Sequence, residues 1–178
     1  MRALRPLAFL RRLGRESGGA TAVEFALVIT PFLFMLFSIF EIGRIYTVAS
    51  VLEDATVDAG RMVRTGEIQM SGGNVDAFRD EVCARMSVFA AGCDTSLTVD
   101  VRVVPSFADD APPSPIRDGE FEEDDLVFEP GNAQEIVLVR TWWRTPLFAP
   151  MITQGLVQMA DGSTVVSTAT TFRSEPYE

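Results

Sequence analysis

Gly19-Ala20-Thr21-Ala22-Val23-Glu24-Phe25 sets one carboxylate at the head of an otherwise apolar run that continues to Phe40. At about 1.5 Å per helical residue, Ala20 to Phe40 covers roughly the 30 Å of a bilayer core. A carboxylate held in hydrocarbon costs about 2.5 to 3.5 kcal/mol on insertion scales, so Glu24 calls for a partner. Cleavage after Gly19 would supply one, because Ala20 would gain a free α-amino group. Positions i and i+4 share a helix face, which lets that cation meet Glu24 of its own chain or of an adjoining subunit. Glu24 then acts as a registration device for assembly, and the chain reads as a structural subunit rather than an enzyme.

Charge is polarised about this run. Arg2, Arg5, Arg11, Arg12 and Arg15 precede it, opposed only by Glu16, whereas the remainder holds 10 basic against 24 acidic residues. By the positive-inside rule this fits a cytoplasmic N-terminus and an exported C-terminal part. An acidic exported domain with no lysine has no means of gripping phosphate backbones, so nucleic acid is excluded as a partner. With 178 residues, one membrane helix and one modest globular domain are expected, with no second independent core. Cys83 and Cys93, the only cysteines, lie on the expected exported side. There oxidation is permitted, and we read them as a disulfide, with two reduced thiols as the alternative.

Along the chain, residues 1–19 read as a basic cytoplasmic leader that is removed. Residues 20–66 read as one long helix, transmembrane to about residue 40 and then periplasmic, with a bend at Pro31 because proline offers no backbone donor. Glu41 and Arg44 mark the exit from lipid. Ile45, Val48, Leu52, Ala55, Ala59 and Met62 keep spacings of three and four and predict an apolar stripe packed on the exported domain. Residues 67–178 read as a periplasmic α+β domain with a roughly three-stranded antiparallel sheet packed on helices. Asn74 predicts the cap of a second helix through Val75, Phe78, Val82, Met86 and Phe89. Val99, Val101 and Val103 alternate with Thr98, Asp100 and Arg102 and predict a half-buried strand over 97–104. Further strands are expected over 134–143 and 164–172. The acidic, proline-rich stretch at about 105–131 reads as a mobile loop.

These residues resemble the TadE-like minor pseudopilins of tight-adherence (Tad, Flp) pili. The resemblance lies in Gly19-Ala-Thr-Ala-Val-Glu24-Phe25-Ala-Leu, in Pro31 and in the tail Ser167-Thr-Ala-Thr-Thr-Phe172-Arg-Ser-Glu175-Pro-Tyr. It implies that Gly19 and Ala20 flank the cut of an aspartic prepilin peptidase, and that Glu24 is the fifth mature residue. Phe25 stands where major Flp pilins usually carry tyrosine. That substitution and the long exported part imply a minor rather than a major subunit. The implied partners are the prepilin peptidase, TadF-like and TadG-like subunits, Flp pilins and the inner membrane of a Gram-negative bacterium.

The competing readings are an uncut single-pass anchor serving as a periplasmic scaffold, in which Glu24 snorkels to the headgroups, and a secretory signal peptide. The latter fits poorly, because Glu41, Arg44 and Tyr46 follow the run where small residues are needed. Asp118 to Asp125 holds enough carboxylates to suggest calcium, but its spacing departs from an EF-hand, and a solvated loop is the preferred reading. Trp142 and Trp143 fall on opposite strand faces, with core packing for both as the default. The 148–151 segment reads as a cover for the sheet, with a docking patch as the alternative. No histidine, nucleophile elbow or phosphate-cradling loop occurs, so no catalytic residue, cofactor, resident metal or small-molecule substrate is assigned.

Overall fold

The computed structural model describes residues 18–86, 89, 91–108, 112–148 and 153–177, so residues 1–17 of the expected leader lie outside the described residues. The chain divides after Phe40 into two compact units.

The first unit consists, in its described part, of the beginning of helix α1, which spans Gly18–Arg64. It is a helix long and apolar enough to cross a membrane. Its side chains point outward with little cover: Val23, Phe25, Leu27, Val28, Phe32, Phe37 and Phe40 are all more than half exposed. A surface of this composition is stable in hydrocarbon and not in water. The helix runs through Pro31, which leaves the Leu27 carbonyl one turn earlier without an N–H. The hydroxyl of Thr30 donates to Ala26 O at 2.6 Å beside that gap.

The second unit is α+β. After the remainder of α1 come α2 (Glu67–Ser71), α3 (Val75–Arg85) and α4 (Cys93–Ser96), then strands β1 (Leu97–Val104), β2 (Ile116–Arg117), β3 (Glu120–Phe121), β4 (Ile136–Thr145) and β5 (Thr164–Arg173). The main sheet is antiparallel in the order β1-β4-β5, with Val101 opposite Val139 and Trp143 opposite Val166. Val48, Leu52, Ala55, Ala59 and Val63 form the buried stripe of α1, at most 2% exposed. They pack with Phe78, Val82, Val101, Val139 and Trp143 in the principal core. Each fully buried valine or leucine contributes about 1.5 to 3 kcal/mol. Within this layer Thr56 and Thr141 satisfy each other across the helix–sheet interface at 2.7 Å.

Local chemistry sets the ends of the helices. The Asn74 side chain accepts from Asp76 N at 3.1 Å and Ala77 N at 3.2 Å, capping α3 as its sequence predicts. At the end of α1 the C-terminal tail returns, and Glu175 N donates to the otherwise free Arg64 carbonyl at 2.8 Å. Gly66, at φ 78°, is required here, since a Cβ would fall 2.3 Å from the Tyr177 ring.

Two sequence expectations are corrected. The strand at 97–104 is not polar on its second face: Asp100 is fully buried, and Trp142, Met159 and Val165 form a second apolar cluster there with Ile116, Phe121 and Leu126. The sheet is therefore covered on both sides. The cover comes from the stretch expected as a mobile loop. Asp118 and Gly119, at φ 52° and 79°, form the tight turn of the β2–β3 hairpin, a conformation that Asp-Gly favours. Gly119 O accepts from Ala160 N at 2.8 Å, and Phe121 meets Trp142 edge-on at 5.8 Å. Farther along, Val127 to Glu129 bond to Val101 and close the outer edge of β1.

Cys83 on α3 and Cys93 on α4 are joined, with Cα atoms 5.8 Å apart. Closing a loop of this length restricts the unfolded chain by about 2.7 kcal/mol in the chain-entropy account. Reduction, or Cys83→Ser with Cys93→Ser, should lower unfolding stability by about 2 to 3 kcal/mol in a urea titration. A change below about 0.5 kcal/mol would show that the bridge constrains nothing the helices do not already fix.

Candidate functional site

Three groups of side chains stand out, each fixed by a different part of the fold. In the first unit, α1 begins at Gly18, so Ala20 and Glu24 stand one turn apart on the same helix face. Glu24 is exposed, and among the described residues it makes no ion pair. The Gly19–Ala20 bond lies in the opening turn of the helix. Two adjacent glycines there weaken the turn by about 1 kcal/mol each relative to alanine, and a Cβ on Gly19 would meet nothing within 4 Å.

In the second unit, Glu41 is only 3% exposed although it follows directly on the apolar run. Its Oε1 accepts from Arg44 Nη2 at 2.6 Å and Nε at 3.2 Å, and its Oε2 accepts from Phe148 N at 2.9 Å. Arg44 in turn donates to Thr145 Oγ1 at 2.7 Å and Pro146 O at 2.6 Å, with its guanidinium 4.7 Å from the centre of the Phe148 ring. The acid and base at i,i+3 are visible in sequence, but nothing local predicts that they seize a loop about a hundred residues away. Of the segment 148–151, expected as a cover for the sheet, only Phe148 is among the described residues, and it is 79% exposed rather than packed on the sheet; Leu147 just before it is buried.

The third group is the buried carboxylate of Asp100 on the second face of the sheet. It receives Arg140 at 2.9 Å and 3.0 Å, Arg102 Nε at 2.9 Å and Val127 N at 3.1 Å. Arg140 also donates to Pro112 O and Pro113 O at 2.7 and 3.1 Å, so the cluster holds the proline-rich stretch to the sheet. Burial alone would raise the Asp100 pKa. The hydrogen bonds from Arg102, Val127 N–H and Arg140 outweigh it and hold the carboxyl below its ordinary value.

The acidic stretch disperses its charge onto arginine. Arg117 pairs with Glu122 at 3.0 Å and Asp125 at 3.3 Å, and among the described residues no three acidic or thiol groups gather as metal ligands. Trp142 and Trp143 are both buried, one in each apolar layer.

Residues 19–61 match the family model described as TadE-like protein. No curated protein and no solved structure matches the chain.

Proposed function

We propose that this chain, TadE-like over residues 19–61, is a minor pseudopilin of a Tad (Flp) pilus assembly, cut between Gly19 and Ala20 by a prepilin peptidase. The observation that carries the proposal is the placement of Glu24 one turn after Ala20 at the start of an uncovered apolar helix. Cutting there leaves Ala20 at the N-terminus of the shortened helix, where the new ammonium joins the positive end of the macrodipole. Glu24 is then the carboxylate available to neutralise that charge within lipid, in its own chain or in a neighbour. The other partners would be TadF-like, TadG-like and Flp subunits, which meet this helix in the inner membrane, and the acidic unit after residue 40 would stand in the periplasm. The role is structural, in pilus biogenesis and hence adherence or secretion, with no reaction catalysed by this chain.

N-terminal sequencing of the protein recovered from membranes tests the cut. A chain beginning at Ala20 is expected. A chain that retains the arginine-rich leader would instead support an uncut single-pass scaffold. Gly19→Ala refines the test, since the new methyl group meets nothing in the fold yet stiffens the turn the peptidase must open. Uncut precursor should accumulate several-fold on immunoblots, while membrane insertion is unchanged.

A further inference from the structure

The turn after β4 holds an aromatic ring in water at considerable structural expense. Phe148 is the most exposed of the large apolar residues described, yet its backbone is among the better anchored: its N–H is taken by the buried Glu41, and the residues before it are held by Arg44. Leu147, next to it, is buried, so the turn is not simply peeling from the fold. Leaving the ring outside forgoes the stabilisation that burying an aromatic side chain supplies. The anchor point explains the exposure. Glu41 is the residue directly after the apolar run in sequence, so these bonds tie the Phe148 backbone to the residue that follows Phe40. Arg44 lies against the Phe148 ring, and Ile42 and Tyr46, on the sides of the same helix turned away from Arg44, are 55% and 74% exposed. Exposed aromatic and aliphatic side chains beside a cation, at the end of a hydrophobic span, have the composition of a headgroup–acyl boundary.

Resting on the reading of residues 20–40 as a membrane span, we infer that the Pro146–Phe148 turn is a membrane-contact element. Phe148 and Tyr46 enter the acyl boundary, and Glu41, paired with Arg44, is the bracket that holds the turn there. Glu41 is a positioning residue, since it reaches lipid only through Arg44 and the Phe148 backbone. The occupant is lipid rather than protein because the anchoring residue, Glu41, follows the apolar run with no residue between.

The test uses the full chain with its disulfide intact, in phosphatidylcholine–phosphatidylglycerol nanodiscs. A nitroxide is attached after Phe148→Cys, with Phe32→Cys in the span and Phe107→Cys, also exposed, as references. Collision with oxygen, which concentrates in lipid, is compared with collision with a water-soluble nickel chelate. The label at position 148 should favour oxygen several-fold more than the label at 107, as the label at 32 does. Lipid contact at 32 with water contact at 148 overturns the inference while leaving the span standing. A label at 148 shielded from both reagents means a protein covers the turn, and overturns it also. Water contact at 32 removes the span and this inference together. Adding Glu41→Gln should loosen the label at 148 and reduce its oxygen preference several-fold without altering position 32, and unchanged lipid contact there would refute the bracket.

Discussion

Replacing Glu24 by alanine is expected to leave cleavage after Gly19 intact and to remove the chain from assembled pili. On the proposed processing, the peptidase would act five peptide bonds before this side chain, on a turn opened by Gly18 and Gly19. Insertion becomes easier, since alanine lacks the carboxylate's penalty of about 2.5 to 3.5 kcal/mol. What would be lost is the proposed attraction between Glu24 and the Ala20 ammonium of a neighbour. At about 4 Å and an effective dielectric of 20, such a pair is worth about 4 kcal/mol, near three orders of magnitude in association. The mature variant should therefore build up in membranes while its recovery with sheared pili falls at least about tenfold, even if relaxation recovers much of that energy. Blots of both fractions, with N-terminal sequencing of the membrane form, read the two effects separately. Incorporation equal to that of the natural chain would eliminate Glu24 as the register group.

The second large effect is expected at Asp100. Asp100→Ala leaves Arg140, only 7% exposed, without its counter-charge, and frees the bond that holds Val127. Removing one partner of a buried pair costs about 3 to 5 kcal/mol, a large part of a small unit's stability. Denaturant unfolding of the detergent-solubilised chain, followed by Trp142 and Trp143 emission, should show it. The same substitution should change the acid response. Because the folded state holds the Asp100 pKa down, its stabilisation is fully present above the unfolded value of about 3.9 and is lost as pH falls through the lower folded value. The natural chain should lose stability steeply below about pH 4, and the alanine variant should lack that part of the loss. A penalty under about 1 kcal/mol would mean that Arg140 finds equal partners elsewhere.

Both groups are carboxylates in apolar surroundings, yet they differ in legibility. Glu24 is conspicuous because one charge interrupts a long apolar run, and both run and charge are local. Asp100 reads as the outward residue of an alternating strand, because nothing near it announces a cover. Its partner Arg140 is directly opposite on β4, brought there by strand pairing rather than by any spacing along the chain. The Asp118-Gly119 turn could have been found, since that dipeptide is a strong hairpin signal. The acidic and proline-rich residues around it have the composition of an unpacked loop and mask that signal. The Phe148 anchor had no such signal.

By itself the sequence determined the elements that depend on near neighbours. These are the apolar helix from its run and its stripe, the Asn74 cap, the three long strands from alternation and β-branching, and a disulfide from two cysteines with no other candidates. Tertiary structure alone decided what lies across the sheet from the helices, which charges are buried together, and which aromatic ring is held out of the core. Periodicity reports that a face is apolar, but what covers a face depends on contacts between residues far apart in the chain, and those exist only once the strands have paired.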